Sequence, residues 1–193
     1  MPPKARITRD MILDAAFDLV RAEGHEALNV RTLAKRLGCS TQPILYNFAA
    51  VEELKDAVYQ RADEFHTAYI LPKGGEGADA LLELGLNYVR FGHEEKHLFR
   101  FLFESDRFGG MDFKGLLRWP GSDELVAILA EALGCGSAEA EKVFLTFFAV
   151  AHGLASLLCN NAMEYDETEC AAMLETVFNG ALAALTSKGE EYA

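Results

Sequence analysis

The sequence contains few of the residues that mark disulfide-rich, zinc-binding or β-rich proteins. Its four cysteines, Cys39, Cys135, Cys159 and Cys170, stand far apart and form no CxxC pair. A zinc finger or thioredoxin-like site is therefore not expected, and a reduced, cytoplasmic protein is. There are only five prolines among 193 residues, and no stretch alternates apolar with polar residues over the length of a strand. Apolar residues at three- and four-residue spacing instead predict helices throughout.

The charge is acidic overall and unevenly distributed. A formal net charge of -12 excludes a protein coated with basic residues for nucleic acid. Residues 1–47 carry seven Lys and Arg against five Asp and Glu, a net +2, whereas residues 48–193 carry 11 against 25, a net -14. We therefore expect only the first segment to contact an anionic partner.

Two segments bear on membrane association, and neither favours it. Residues 1–6 carry charges with no apolar run behind them, so a signal peptide is not predicted. Residues 143–159 are almost continuously apolar, but they include Thr146 and His152 and number 17, fewer than the roughly 20 that a bilayer requires. We predict a helix that is buried on most sides and no membrane partner.

Helices are predicted along the whole chain. The first covers about 8–23 and ends at Gly24, and the second is short and capped by Asn29. A break at residues 38–40 precedes a third short helix that reaches about Asn47. A Gly-rich loop carrying Trp119 interrupts the later part. Further helices are predicted at about 51–70, 78–91, 95–103, 123–133, 138–161 and 167–186.

Two short helices joined by a Gly-containing turn behind a longer helix are typical of a helix-turn-helix unit. In such a unit the second short helix presents its first turn to base edges while its other side packs on a small core. Leu33, Leu37, Ile44 and Phe48 can supply that core. We expect Ser40 to cap the third helix, with Pro43 at its third position, where the missing N–H has no intrahelical partner.

Polar residues at the start of the third helix suit the reading of DNA bases. Gln42 can pair bidentately with adenine, and Thr41 offers a hydroxyl group or a methyl contact to thymine. Cations on the second helix and on the N-terminal arm are predicted to contact phosphates: Arg31, Lys35, Arg36, Lys4, Arg6 and Arg9. The alternative is that the polar residues only solvate a turn between two helices.

The stretch NVRTLAKRLGCSTQPILYNFAAVEELKDAV, residues 29–58, resembles the helix-turn-helix signature of TetR-family transcriptional regulators. Residues 88–107 and 147–158 resemble the effector domain of that family, the latter through an element similar to Trp-x-x-x-His-Gly. The resemblance implies an all-α fold. A three-helix DNA-binding domain over residues 1–50, with the start of the linking helix to about 58, would be joined by that long helix to a helical effector-binding and dimerisation domain over 51–193.

The same resemblance implies a ligand-responsive repressor that binds a palindromic operator in double-stranded DNA as a homodimer. With the residue chemistry above, the predicted DNA contacts are these: Arg31, Ser40, Thr41, Gln42, Pro43, Tyr46, Asn47, Lys55, Lys4 and Arg6.

Several positions depart from the family pattern. Leu45 stands where a phosphate-contacting Tyr is usual, Asn47 replaces the usual His, and Val51 replaces the usual Lys. Lys55 or Tyr46 can substitute for these phosphate contacts. Because fewer phosphates would be neutralised, we predict weaker non-specific affinity and a shallower salt dependence.

The resemblance further implies that the chain from about residue 60 senses an unknown small-molecule effector. Aromatic residues and one histidine are the predicted pocket residues: Phe65, Tyr69, Phe91, Phe103, Phe144, Phe148 and His152. At helical spacing each of them is equally a core residue. Dimerisation is predicted through the helices near 138–161 and 167–186, where Ala151, Gly153 and Gly180 allow close approach.

One pattern favours an enzyme instead. Residues 93–97, with His93, Glu94 and His97, match the H-E-x-x-H motif of zinc metallopeptidases. That motif needs both imidazoles on one helical face and a third ligand, but Gly92 indicates a helix end. We therefore expect solvated residues at a helix junction, with no metal, no cofactor and no catalytic residues. A third alternative is a degenerate helix-turn-helix that serves only as a protein-binding scaffold.

Overall fold

A computed structural model describes residues 7–74, 77–105, 111–112, 115 and 122–190, and this part of the chain is helical and contains no strand. The predicted all-α fold is confirmed. Trp119 lies outside the described residues.

Helix positions follow the sequence predictions closely. A 3₁₀ turn at His25–Ala27 was not predicted, and helices α5 and α9 each end a few residues later than expected. The helices are α1 (Arg9–Glu23), α2 (Val30–Arg36), α3 (Gln42–Asn47), α4 (Val51–Ile70), α5 (Gly77–Glu94), α6 (Lys96–Phe103), α7 (Ser122–Leu133), α8 (Ser137–Asn160) and α9 (Glu167–Glu190).

Side-chain caps explain where two of these helices begin. The Asn29 side-chain oxygen accepts the N–H groups of the second and third residues after it, at 3.1 and 3.0 Å. The Asp166 carboxylate does the same at the start of α9, at 2.9 and 3.1 Å. Both caps satisfy donors that have no partner inside the helix, and the Asn29 cap was predicted from the sequence.

The chain divides into two compact units. The first comprises Met1–Ala68 with Glu95–Ser105, so it contains α1 to α3, most of α4, and α6. Its core consists of apolar side chains that are at most 1% exposed: Ile12, Leu19, Val20, Leu33, Ile44, Phe48, Leu54, Val58, Leu98, Phe99 and Leu102. The predicted boundary between a DNA-binding domain (1–50) and an effector domain (51–193) stays a prediction. The contacts between helices place α6 in the same unit as the helix-turn-helix.

Helix α6 is held against α1 by charged and aromatic contacts. The Arg21 guanidinium donates two hydrogen bonds to the Glu95 carboxylate, one of them at 2.8 Å. The His25 ring stacks on Phe101 with 5.7 Å between the ring centres. These contacts fix α6 within the first unit.

The second unit comprises Tyr69–Glu94 and Asp106–Ala193 and is built around the pair α5 and α8. Two glycines on α5 allow these helices to approach closely. A Cβ atom on Gly85 would lie 2.5 Å from the Phe147 ring, and one on Gly92 would lie 2.7 Å from the Cβ of Ala155. Real Cβ contacts are longer, so this packing requires glycine at both positions.

Helix α8 is long and apolar enough to cross a membrane by length and composition, with 24 residues and a mean hydropathy of 1.7 in its most apolar window. Only 39% of that window is buried, so the prediction of a helix buried on most sides is wrong. One face of α8 packs on α5, α7 and α9, which accounts for part of its apolar composition. The opposite face leaves Leu157 47% exposed.

Candidate nucleic-acid interface

A glycine turn sets the relation between α2 and α3. Gly38 has a φ of +63°, a left-handed conformation that glycine adopts without strain. The N–H of Cys39 donates to the carbonyl of Ala34 at 3.0 Å, and the N–H of Gly38 donates to that of Lys35 at 3.2 Å. This pair of bonds is the Schellman motif, which ends α2 and releases the chain into α3.

Helix α3 has one buried and one exposed face. Ile44 and Phe48 are each 1% exposed and anchor the helix, whereas Leu45 is 53% and Tyr46 is 82% exposed. At about 100° per residue, Gln42 lies roughly opposite the buried pair, with Leu45 and Tyr46 on either side of it. We call Gln42, Leu45 and Tyr46 the reading face.

The start of α3 differs from the prediction in two respects. Thr41, with helical φ and ψ, precedes the first residue Gln42 and makes no side-chain cap, and Ser40 lies outside the helix, so the predicted Ser40 cap is wrong. Pro43 occupies the second helical position rather than the third. A capping side chain accepts from the second or third N–H of a helix, and Pro43 removes one of these two donors.

The C-terminal end of α3 is fixed by Arg9 and Glu53. The Arg9 guanidinium donates to the Asn47 carbonyl at 2.6 Å and to Glu53 at 3.0 Å, and it lies 4.0 Å from the centre of the Phe48 ring. Glu53 also accepts the N–H of Ala49 at 2.8 Å. That backbone bond, followed by the one from Arg9, lowers the pKa of the Glu53 carboxyl. Arg9, predicted as a phosphate contact, instead joins α1, α3 and α4.

Three cations near the helix-turn-helix keep their charge available. Arg31 and Lys35 are exposed on α2, and Lys55 is half-buried on α4. None of the three is in an ion pair with a described residue.

The other predicted cations divide differently. Arg36 pairs loosely with Glu23, at 3.7 Å. Lys4 and Arg6 lie outside the described residues, so their predicted phosphate contacts stay predictions.

The predicted DNA residues on α3 do not all share one face. Gln42 and Tyr46 belong to the reading face, whereas the Asn47 side chain donates back to the Pro43 carbonyl at 2.7 Å and is half-buried. Leu45 was not among the predicted contacts. What distinguishes Leu45 is its exposure to solvent, and the sequence of a short helix does not show whether an apolar residue is exposed or buried.

The seven predicted pocket residues are split between the two units. Phe65 and Phe103 lie in the first unit, where Phe65 contacts Phe17 and Phe103 contacts His66, with ring centres 5.6 and 4.9 Å apart. Phe91, in the second unit, is 0% exposed and belongs to the core. These residues therefore do not line one common pocket within either unit.

Four residues of the second unit do come together. The Tyr88 hydroxyl lies 2.9 Å from Nδ1 of His152, and the Phe148 ring lies 5.5 Å from Tyr88 and 5.7 Å from His152. Phe144 stacks on Phe148. Burial raises the pKa of Tyr88. We call Tyr88, Phe144, Phe148 and His152 the aromatic cluster; Tyr88 was missed because nothing in its local sequence distinguishes it from a core tyrosine.

Tyr69, the remaining predicted pocket residue, packs elsewhere in the second unit. Its ring contacts Phe91 edge-on at 5.3 Å, and its hydroxyl donates to Glu94 at 2.6 Å.

The H-E-x-x-H pattern falls on a helix junction, as predicted. Helix α5 ends at Glu94 and α6 begins at Lys96. His93 stacks on Tyr165 at 4.8 Å, while His97 packs against Gly24. Within the described part of the chain, no three His, Cys, Asp or Glu side chains are grouped to hold a metal ion. The geometry gives no support to a metallopeptidase.

The outer face of α8 is open. A depression of about 610 Å³ is lined by residues of this helix, including Leu145, Ala149 and Val150. A Cβ atom added at Gly153 or at Gly180 would meet nothing within 4 Å. Ala151 is only 2% exposed, so its predicted place in a subunit interface is wrong, because it packs inside the unit.

Comparisons with known proteins agree on one family. Residues 81–180 match the family described as tetracyclin repressor-like, C-terminal domain. Tetracycline repressor protein class D from Escherichia coli is 31% identical over 78 residues, 40% of this chain and 36% of that protein, so the match spans about a third of the relative's length.

Two further proteins match over most of the chain. An uncharacterized HTH-type transcriptional regulator from Mycobacterium tuberculosis is 26% identical over 170 residues, covering 86% of this chain and 76% of that protein. The crystal structure of a TetR-like transcriptional regulator from Rhodococcus sp. RHA1 shares the fold, with a TM-score of 0.65 at 18% identity over 92% of this chain and 99% of that one. The family match covers more than half of the sequence, and the chain belongs to the TetR family of transcriptional regulators.

Proposed function

We propose that this protein binds double-stranded operator DNA through the reading face of α3. The observation that carries the proposal is an exposed Gln42, placed opposite the buried Ile44 and Phe48, in the same compact unit as three cations that form no ion pair with a described residue. Glutamine can bond bidentately to adenine, and the cations supply the phosphate contacts that hold the helix in the groove. Arg31, Lys35 and Lys55 are the phosphate contacts, joined by Lys4 and Arg6 on the arm.

The remaining predicted contacts have secondary roles. Ser40 and Thr41 lie at the entry to α3 and contact the DNA backbone or an edge base. Pro43 and Asn47 shape and close the helix, since Asn47 donates to the Pro43 carbonyl.

The protein acts as a homodimer that joins the outer faces of α8 and α9. Support comes from the exposed Leu157, the open space at Gly153 and Gly180, and the apolar depression on α8. A two-fold dimer reads two half-sites, so the operator is palindromic.

A small-molecule effector regulates DNA binding through the aromatic cluster. Flat apolar rings around one polar pair, the Tyr88 hydroxyl and the His152 imidazole, suit an aromatic ligand with a hydrogen-bonding group. Effector binding would shift the protein between two states with different spacings of the α3 helices, releasing a repressor from its operator in the cytoplasm.

In vitro selection tests the DNA proposal without knowledge of the operator. Native protein is used to enrich duplexes from a random-sequence library, and the enriched duplex is then titrated by fluorescence anisotropy. Gln42→Ala should weaken binding to it by about tenfold or more, because a bidentate base contact is lost.

Gln60→Ala, which removes an exposed glutamine on α4, is the matched control and should bind like the native protein. Failure of folded native protein to enrich any sequence at low salt would favour the scaffold alternative. Equal binding by Gln42→Ala and native protein would remove Gln42 from the interface.

Sedimentation of two matched variants tests the dimer. Leu157→Asp, at a residue 47% exposed on α8, should convert the protein to a monomer because a charge would be buried in the interface. Ile128→Asp, at a residue 57% exposed on α7, should leave the dimer intact. The same mass for both variants would contradict the proposed interface.

Displacement of the selected duplex tests the effector. A panel of small aromatic acids, phenols and amides is screened for compounds that release native protein. Phe148→Ala should lose that response while keeping its DNA affinity, and Tyr69→Phe, elsewhere in the second unit, should keep both. A response unchanged in Phe148→Ala would place the effector elsewhere.

A further inference from the structure

Helix α3 exposes a large apolar side chain that its own fold does not require. Ile44 and Phe48, each 1% exposed, already attach the helix to the core. Leu45 is 53% exposed beside Gln42 on the reading face. Burying a leucine side chain against an apolar group is favourable in water, and the position of Leu45 beside a base-reading residue favours an apolar group on the DNA as its partner.

The chemistry of leucine narrows that partner. Its side chain neither donates nor accepts a hydrogen bond, and it carries no charge that could neutralise a phosphate. In the major groove of B-DNA the apolar group available to it is the C5-methyl of thymine.

We infer that Leu45 contacts a thymine methyl group in each half-site, an inference that rests on the proposed DNA-binding function. Leu45 follows Gln42 by three residues, a rise of roughly 4.5 Å along the helix axis. Successive base pairs are about 3.4 Å apart. The thymine therefore lies within two base pairs of the base that Gln42 contacts.

Tyr46 has a different role on the same face. Its side chain is 82% exposed, and its hydroxyl can donate to a phosphate. With Leu45 on one side of Gln42 and Tyr46 on the other, the reading face is apolar on one side only. Because of Leu45, the half-site should require thymine at one position.

Replacement of thymine by uracil tests the inference directly, because uracil keeps the base pair and lacks only the methyl group. The duplex selected by native protein is resynthesised with each thymine replaced in turn, symmetrically in both half-sites, and titrated by anisotropy. One replacement should weaken native binding about fourfold per half-site, the value of one buried methyl group.

Three variants make the test specific. Leu45→Ala should bind the thymine duplex more weakly than native protein does and be indifferent to the critical uracil. Leu45→Met, which keeps an apolar side chain, should retain the sensitivity. Leu71→Ala, at a leucine 54% exposed outside the helix-turn-helix, should behave like native protein.

The outcomes separate this inference from the proposed function. If native protein enriches no sequence, DNA reading itself fails before uracil is used. If native protein enriches a sequence but no uracil weakens binding, or if Leu45→Ala keeps the native sensitivity, Leu45 does not read a methyl group and the inference is overturned. The native uracil scan decides the matter even if Leu45→Ala fails to fold.

Discussion

Replacing Lys35 by glutamine should change the salt dependence of DNA binding by a predictable amount. Each phosphate neutralised by a protein cation contributes about -0.9 to the slope of log K against log salt concentration. Arg31, Lys35 and Lys55 form no ion pair with any residue that the structure describes. On a dimer they give six phosphate contacts and a slope of about -5. Contacts from Lys4 and Arg6 on both arms would extend it to about -9.

Lys35→Gln removes two of these contacts per dimer, so the slope should move toward zero by about 1.8. Glutamine and lysine have similar helix propensities, which keeps α2 intact. The assay is anisotropy titration of the selected duplex over a range of potassium chloride concentrations. Lys73→Gln makes the same charge change at an exposed site in the second unit and should leave the slope unchanged. Equal slopes for Lys35→Gln and Lys73→Gln would refute the assignment of Lys35 to a phosphate.

Three further predictions concern stability and positioning. Gly92→Ala should lower the unfolding free energy in urea by about 1–3 kcal/mol through overpacking, since its Cβ would lie 2.7 Å from the Cβ of Ala155; adding Ala155→Gly should cost less than the sum of the two changes, and strict additivity would contradict a clash. Burial lowers the pKa of His66 to about 4 from 6.5, so the unfolded state binds more protons between these values and stability falls as pH drops through that window. Urea unfolding should show a loss of about 2 kcal/mol from pH 7.5 to 5 that His66→Gln lacks and the exposed-site control His25→Gln retains; equal losses in all three proteins would place the pH effect elsewhere. Glu53→Gln should weaken operator binding about two- to fivefold by loosening Arg9 and the end of α3, with Glu52→Gln unchanged; native affinity in Glu53→Gln would show that this contact does not position the helix.

Helix positions were accessible from the sequence because their determinants are local. Apolar spacing, Asn29 as a cap, and Gly24 and the break at residues 38–40 as ends act over a few residues, and the structure contains each of them as expected.

The start of α3 shows where such reasoning fails. Serine is a common cap, and a cap at Ser40 would make Thr41 the first helical residue. The helix instead begins at Gln42, one residue later than predicted. The position of Pro43 decides this, because it fixes which N–H groups remain for a cap. A one-residue error in the assumed position of the proline was enough to misplace the cap.

The predicted pocket residues are divided between the two units for a non-local reason. Aromatic residues were grouped by type, but their partners are set by which helices pack together. Phe65, on α4, packs on Phe17 of α1. Phe103 packs on His66 because α6 groups with α1 and α4, a contact that nothing in the local sequence of residues 95–105 indicates. Phe148 and His152 share one face of α8, and only the packing of α5 on α8 places the buried Tyr88 beside them.

The sequence gives the number of charged residues near the DNA-binding helices, whereas the structure shows which of them are already in ion pairs. The sequence counts seven basic residues in positions 1–47, but a count does not say which are already paired. Arg9 is engaged with Glu53, Arg21 with Glu95 and Arg36 with Glu23. In each pair the carboxylate compensates the positive charge of the arginine. Removing that carboxylate would leave the arginine charge available to a phosphate. Glu23→Gln should therefore steepen the salt dependence, opposite in sign to Lys35→Gln, because it frees Arg36. Anisotropy titrations of both variants on one duplex measure the two signs, and a shallower slope in Glu23→Gln would mean that Arg36 does not face the DNA.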